Sequence, residues 1–99
     1  MSFAKIAFGA MPWEQGGHPL ETKKTAPGAT LLCFETGFAD PNWCEHGHVG
    51  FIVEGRLAFE LDEGSMEVGA GEAFVIDQGT RHRASNPGDR RTVLFIAPR

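Results

Sequence analysis

Short apolar runs, each closed by glycine or acidic residues, organise the chain from Ala29 onward. Ala29–Glu35 and Gly47–Glu54 read as strands, and Glu54-Gly55 reads as a two-residue hairpin turn. In Arg56–Asp62 the side chains of Leu57, Phe59 and Leu61 alternate with polar or small ones and so share a face. Glu63-Gly64 turns the chain into Ser65–Val68, and Gly69-Ala70-Gly71 leads into Glu72–Asp77 with its apolar run Ala73-Phe74-Val75-Ile76. Gly79 supplies the positive φ of a further turn before Arg81–Ser85, and Thr92–Ala97 closes the series. Upstream, Phe3–Phe8 reads as an edge strand. Residues 9–28 are polar, rich in proline and glycine and without periodicity, and read as a long loop or arm around Trp13. The pattern predicts an all-β domain of about eight antiparallel strands with hairpin turns, a double-sheet jelly roll. Residues 1–28 form its edge strand and arm, and residues 29–99 form its barrel.

Composition narrows the partners. Ninety-nine residues suffice for one core, and eight phenylalanines and two tryptophans are a heavy apolar load for that length. No apolar run approaches 18 residues, which excludes a membrane-spanning helix. The apolar patch before Pro12 is too short for a signal peptide, so a cytoplasmic location is expected. The net charge is −4, and Lys23-Lys24 and Arg81, Arg83, Arg90 and Arg91 are scattered, so nucleic acid is not an expected partner. A homodimer is expected, because the apolar segment Phe3–Phe8 and Trp13 need cover. Of the two cysteines, Cys33 lies within Leu31-Leu32-Cys33-Phe34 and is assigned to the core. Cys44 sits among histidines and reads either as a ligand or as a buried thiol, rather than as half of a disulfide.

Two spaced motifs carry the chemistry. Gly71, Asp77, Gly79, His82 and Asn86 fit the pattern G-x5-P-x-G-x2-H-x3-N, with Asp77 in place of the proline. Upstream, counting back six residues from Gly55 places His48 at the glutamate of G-x5-H-x-H-x3,4-E-x6-G, Cys44 at its second histidine and Asn42 at its first. Gly37 supplies the leading glycine one residue nearer than the pattern asks. Aligning His46-x-His48 with the paired histidines instead leaves Ile52 and Val53 at the glutamate and displaces Gly55. These motifs resemble the two signatures of the cupin superfamily, in the form of a small single-domain bacterial cupin with an altered first motif. The resemblance covers about residues 29–97 and implies a double-stranded β-helix, or jelly-roll barrel, with a metal at its centre.

The resemblance transfers the family's last histidine ligand to His82 and substitutes His48 for its glutamate. If the segment is extended, Asn42, Cys44, His46 and His48 alternate onto one side. One thiol and two imidazoles form a borderline-soft donor set suited to Zn, Fe or Ni rather than Mg or Ca. Cys44, His48 and His82 are therefore the expected metal ligands. His46 is the expected acid/base residue, and either it or Asn42 completes the coordination or lines the substrate side. The family spans dioxygenases, isomerases, epimerases, storage proteins and sensory domains, so the fold alone does not choose a reaction. Three functions stay open: a metal-dependent enzyme acting on a small molecule, a non-catalytic ligand-binding or sensory module, and a metal-free structural barrel.

Overall fold

The computed structural model describes residues 2–99, and among these it holds nine strands and a single 3-10 turn at Phe8–Ala10. The strands are β1 (Glu14–Gln15), β2 (Glu21–Ala26), β3 (Ala29–Phe34), β4 (His48–Glu54), β5 (Arg56–Leu61), β6 (Gly64–Gly69), β7 (Ala73–Ile76), β8 (His82–Ser85) and β9 (Thr92–Pro98). They form a six-stranded sheet in the order β1-β2-β3-β9-β4-β7 and a three-stranded sheet in the order β6-β5-β8, all antiparallel. Phe34, Phe38, Ile52, Leu57, Phe59, Val68, Ile76 and Leu94 are buried in one cluster drawn from both sheets. This is the jelly roll that the alternation predicts. No helix is long and apolar enough to cross a membrane among the described residues.

Glu54-Gly55 is not a hairpin. β4 pairs with β7 and β9, whereas β5 pairs with β6 and β8, so the chain changes sheets at this corner. Gly55 has φ +82, and a Cβ there would lie 2.5 Å from the Arg91 carbonyl oxygen. The fully buried Thr92 closes the corner: its Oγ1 donates to the Arg56 carbonyl and accepts from the Arg56 amide. A glycine in a strand-like sequence marks a sheet-switching corner here because the backbone passes too close for any side chain.

The expected edge strand at Phe3–Phe8 does not form. Residues 3–7 carry no regular structure, and the sheet edge beyond β2 is taken by β1. Phe8 instead sets its ring edge-on to Phe95 at 6.3 Å, and Lys24 Nζ donates to its carbonyl at 2.9 Å. The expected loop at 9–28 also contains β2, which pairs with β3 from Glu21↔Phe34 to Ala26↔Ala29. The sequence Glu-Thr-Lys-Lys-Thr-Ala lacks apolar alternation because none of its residues is fully buried. The arm is thus knitted into the larger sheet through the turn at Pro27-Gly28.

Candidate metal centre

Cys44, His48 and His82 come from three separate segments and converge on the inside of the barrel. Cys44 lies opposite the first residue of β8: its amide donates to the His82 carbonyl at 2.8 Å, and the His82 amide donates back at 2.9 Å. His48 opens β4, paired with Ile76 on one side and Pro98 on the other. The turn before β8 holds the third segment. The Thr80 amide donates to the Asp77 carbonyl, and Gly79, at φ +92, occupies the third position, as a type II turn requires. The Gly79 amide donates to the Glu45 carbonyl at 2.8 Å, and the Gly47 amide donates to Gln78 Oε1 at 3.0 Å. The two motifs are therefore stitched together on either side of the ligand residues.

The donor atoms of the three side chains all lie within 4.8 Å of one another. Cys44 Sγ stands 3.9 Å from His48 Nε2, and the two imidazole rings are 5.6 Å apart at 88°. In a tetrahedral zinc site, bond lengths of about 2.3 Å to sulfur and about 2.0 Å to nitrogen separate the donors by about 3.5 Å. Small side-chain rotations close that gap. His82 is buried, and its Nδ1 donates to the Thr80 carbonyl at 2.8 Å, which orients the ring and leaves the Nε2 lone pair free, as in a metal-binding histidine. Burial pushes the His48 imidazole below its ordinary pKa, with His82 and then His46 adding to the shift. His48 is thus neutral at pH 7, the form that binds metal. The residues present fit a divalent transition metal.

Asn42 and His46 do not join this cluster. The expected alternation needs an extended backbone from 42 to 48, but the chain bends at Asn42, whose amide donates to Asp40 Oδ1 at 2.9 Å, and residues 45–47 are irregular. Both residues are exposed. The His46 backbone donates to Cys44 Sγ at 3.5 Å, and the residue borders a second recess that it shares with His48, Gln78 and Pro98. His46 is not among the residues that line the cavity beside the three side chains.

A cavity of about 130 Å³ adjoins the three donors, walled by Leu32, Phe34, Leu57, Phe59, Phe74 and Leu94. Gly50 shapes one wall, since a Cβ on it would sit 2.3 Å from the Phe74 ring that lies across β4. Two charged residues that the motifs do not mark also reach the cavity, Asp40 and Arg83. Asp40 is held by its amide donating to the Ala84 carbonyl at 2.9 Å, next to the buried Phe38. The apolar Phe38 two residues ahead of Asp40 was the available signal. Arg83 binds Glu60 at 2.9 Å and lies 4.4 Å over the Trp43 ring, which Arg81 also covers at 3.8 Å.

The remaining motif positions are structural. Buried Asn86 donates to the carbonyls of Phe34 and Arg90 and accepts from the Gly88 amide, tying the end of β3 to the loop before β9. Asp77 pairs with Arg99 on the surface. Cys33 is buried as expected and is a free thiol, as is Cys44. Its thiol is pushed up first by burial and then by Glu35.

Two facing antiparallel sheets around a Cys-His-His cluster and a small apolar cavity define a jelly-roll barrel with a candidate metal centre. Residues 32–98 match the Cupin domain family, and the chain belongs to it. Among solved structures it is similar to KdgF from Halomonas sp., at 22% identity and a TM-score of 0.75, covering 99% of this chain and 96% of that one. The polyketide cyclase RemF from Streptomyces resistomycificus is also 22% identical, with a TM-score of 0.76 and coverage of 98% and 80%. The Drosophila melanogaster CENP-C cupin domain is 16% identical, with a TM-score of 0.73 and coverage of 92% and 77%. At these identities the likeness establishes the fold. A comparison with curated proteins finds no match.

Proposed function

We propose that Cys44, His48 and His82 hold one divalent transition metal, of the Zn, Fe or Ni kind, and that the protein binds and acts on a small molecule in the adjoining cavity. The observation that carries this reading is the convergence of one sulfur and two imidazoles within 4.8 Å, with no fourth His, Cys, Asp or Glu in the group among the described residues. Three protein ligands beside a cavity leave a coordination position for substrate or water, whereas structural sites are closed by four. A metal bound there supplies Lewis acidity or a more acidic water. The chain's own residues do the rest: Thr80 orients His82, and the apolar walls select and position the bound molecule. His46, in the neighbouring recess that it shares with His48, handles protons for substrate on that side. The shared fold of the polyketide cyclase RemF is consistent with small-molecule chemistry in such a barrel.

Cobalt substitution tests the site. Co²⁺ added to metal-free protein should give a thiolate-to-cobalt charge-transfer band that Cys44→Ala abolishes. A band that persists in that variant would remove Cys44 from the ligand set.

A homodimer in the cytoplasm belongs to the same proposal. Val49, Phe51, Val53 and Val75 form an exposed apolar stripe on the outside of β4 and β7, and Phe3 is 92% exposed. Sedimentation of Phe51→Lys against the parent chain decides whether this face pairs two copies.

A further inference from the structure

The cavity's walls say more about its ligand than the ligand residues do. Its volume of about 130 Å³ is close to the about 150 Å³ of engineered protein cavities that take benzene, although it opens to solvent on one side where those are enclosed. Phe59 and Phe74 stand 4.8 Å apart at 60°, and the Phe59 ring also meets His82 edge-on at 6.2 Å, so the wall next to the donors is aromatic. Leu32, Leu57, Leu94 and Ile96 present no hydrogen-bonding atom from their side chains. A polyhydroxylated molecule placed here strands its hydroxyl groups, and each stranded group weakens binding about ten-fold.

The polar groups define the other end of the ligand. Arg83 is the cation on the cavity rim, but Glu60 takes its guanidinium through Nε at 2.9 Å and Nη2 at 3.3 Å, and its face rests on Trp43. It is already neutralised and stacked, so it is not free to clamp an acid. Asp40 repels one. An anionic donor on a ligand therefore has one favourable destination in this cavity, the open side of the Cys44, His48 and His82 cluster.

We infer that the ligand of this site is a compact, largely apolar molecule about the size of one aromatic ring, carrying a single anionic donor, and not a sugar or sugar acid. The location of the donor rests on the metal reading above; the apolar, ring-sized body does not. Binding is non-covalent in this inference, and no reaction is assigned.

Calorimetric titration with three probes separates the two halves. Benzene reports the apolar cavity alone and should bind metal-free and Zn²⁺-loaded protein equally. Benzoate should bind the Zn²⁺-loaded protein at least ten-fold more tightly than the metal-free form. Glucuronate, with the same charge on a hydroxylated ring, should bind neither form measurably. Absence of benzene binding, or glucuronate binding as tightly as benzoate, overturns the inference. Benzene binding combined with no effect of Zn²⁺ on benzoate overturns the donor end and counts against the metal reading, while the apolar body stands. Ala84→Leu, on the cavity wall, should abolish benzene binding without changing metal content. If this variant does not fold, the comparison of probes on the parent protein decides the matter.

Discussion

Replacing Gly55 by alanine tests how the two sheets are joined, and Gly71 provides the control. Both glycines have positive φ, +82 and +86, so alanine at either position meets the left-handed penalty of about 1–2 kcal/mol. They differ in surroundings. At Gly71 nothing lies within 4 Å of an added Cβ, whereas at Gly55 it would meet the Arg91 carbonyl oxygen at 2.5 Å and the Thr92 Cα at 2.9 Å. Both of those atoms are backbone, so relief requires moving the corner or the start of β9, an overpacking cost of about 1–3 kcal/mol. Gly71→Ala should therefore destabilise by about 1–2 kcal/mol and Gly55→Ala by about 2–5 kcal/mol. With about 4–8 °C per kcal/mol for a domain of this size, the Tm of Gly55→Ala should fall at least about 4 °C further. Differential scanning calorimetry of the two variants beside the parent chain measures this directly. Equal losses, or a larger loss at Gly71, would refute the argument that the sheet-switching corner is closed by backbone contact.

Thr92→Val removes both hydrogen bonds to Arg56 while keeping the volume, and should cost about 1–3 kcal/mol in urea denaturation. Asn86→Ala strands the Phe34 and Arg90 carbonyls and the Gly88 amide, and should lower the urea midpoint by a similar or larger amount while metal content per folded chain is unchanged. His48 has a folded-state pKa below its unfolded value, through burial and then the neighbouring His82 and His46. Its contribution to the stability of the metal-free protein is therefore present above the unfolded pKa of about 6.5 and lost as pH falls through the lower folded value. Unfolding free energies of metal-free protein measured from pH 7.5 to 5 should decline, and His48→Gln should flatten the decline. His46→Ala should leave metal stoichiometry at the parent value, because it is not part of the Cys44, His48 and His82 cluster.

The strands from Ala29 to Ala97 were legible because their inner faces are apolar. Leu57 and Phe59 do lie together in the core, and β7 and β8 fall where the apolar run and the Gly79 turn place them. The resemblance to the two family motifs, aligned on Gly55 and Gly79, also singled out Cys44, His48 and His82, whose donor atoms lie within 4.8 Å of one another. Three features were less accessible. β2 carries no fully buried side chain, so alternation does not reveal it, and only the Pro27-Gly28 turn announces it. Glu54-Gly55 looks like a hairpin locally, and its role as a corner depends on Thr92, far along the chain. The parity argument for Asn42 and His46 assumed an extended backbone that the Asp40–Asn42 turn interrupts. The same bend presents Asp40 to the cavity, a residue that no motif marks.

On the proposed reading, Cys44, His48 and His82 bind one metal together. Elemental analysis of protein purified without an affinity tag addresses it most directly, on the parent chain and on Cys44→Ala, His48→Ala and His82→Ala. Close to one equivalent of a transition metal per chain is expected, lost in each of the three variants while folding persists. Substoichiometric metal that is unaffected by replacing His82 would contradict it.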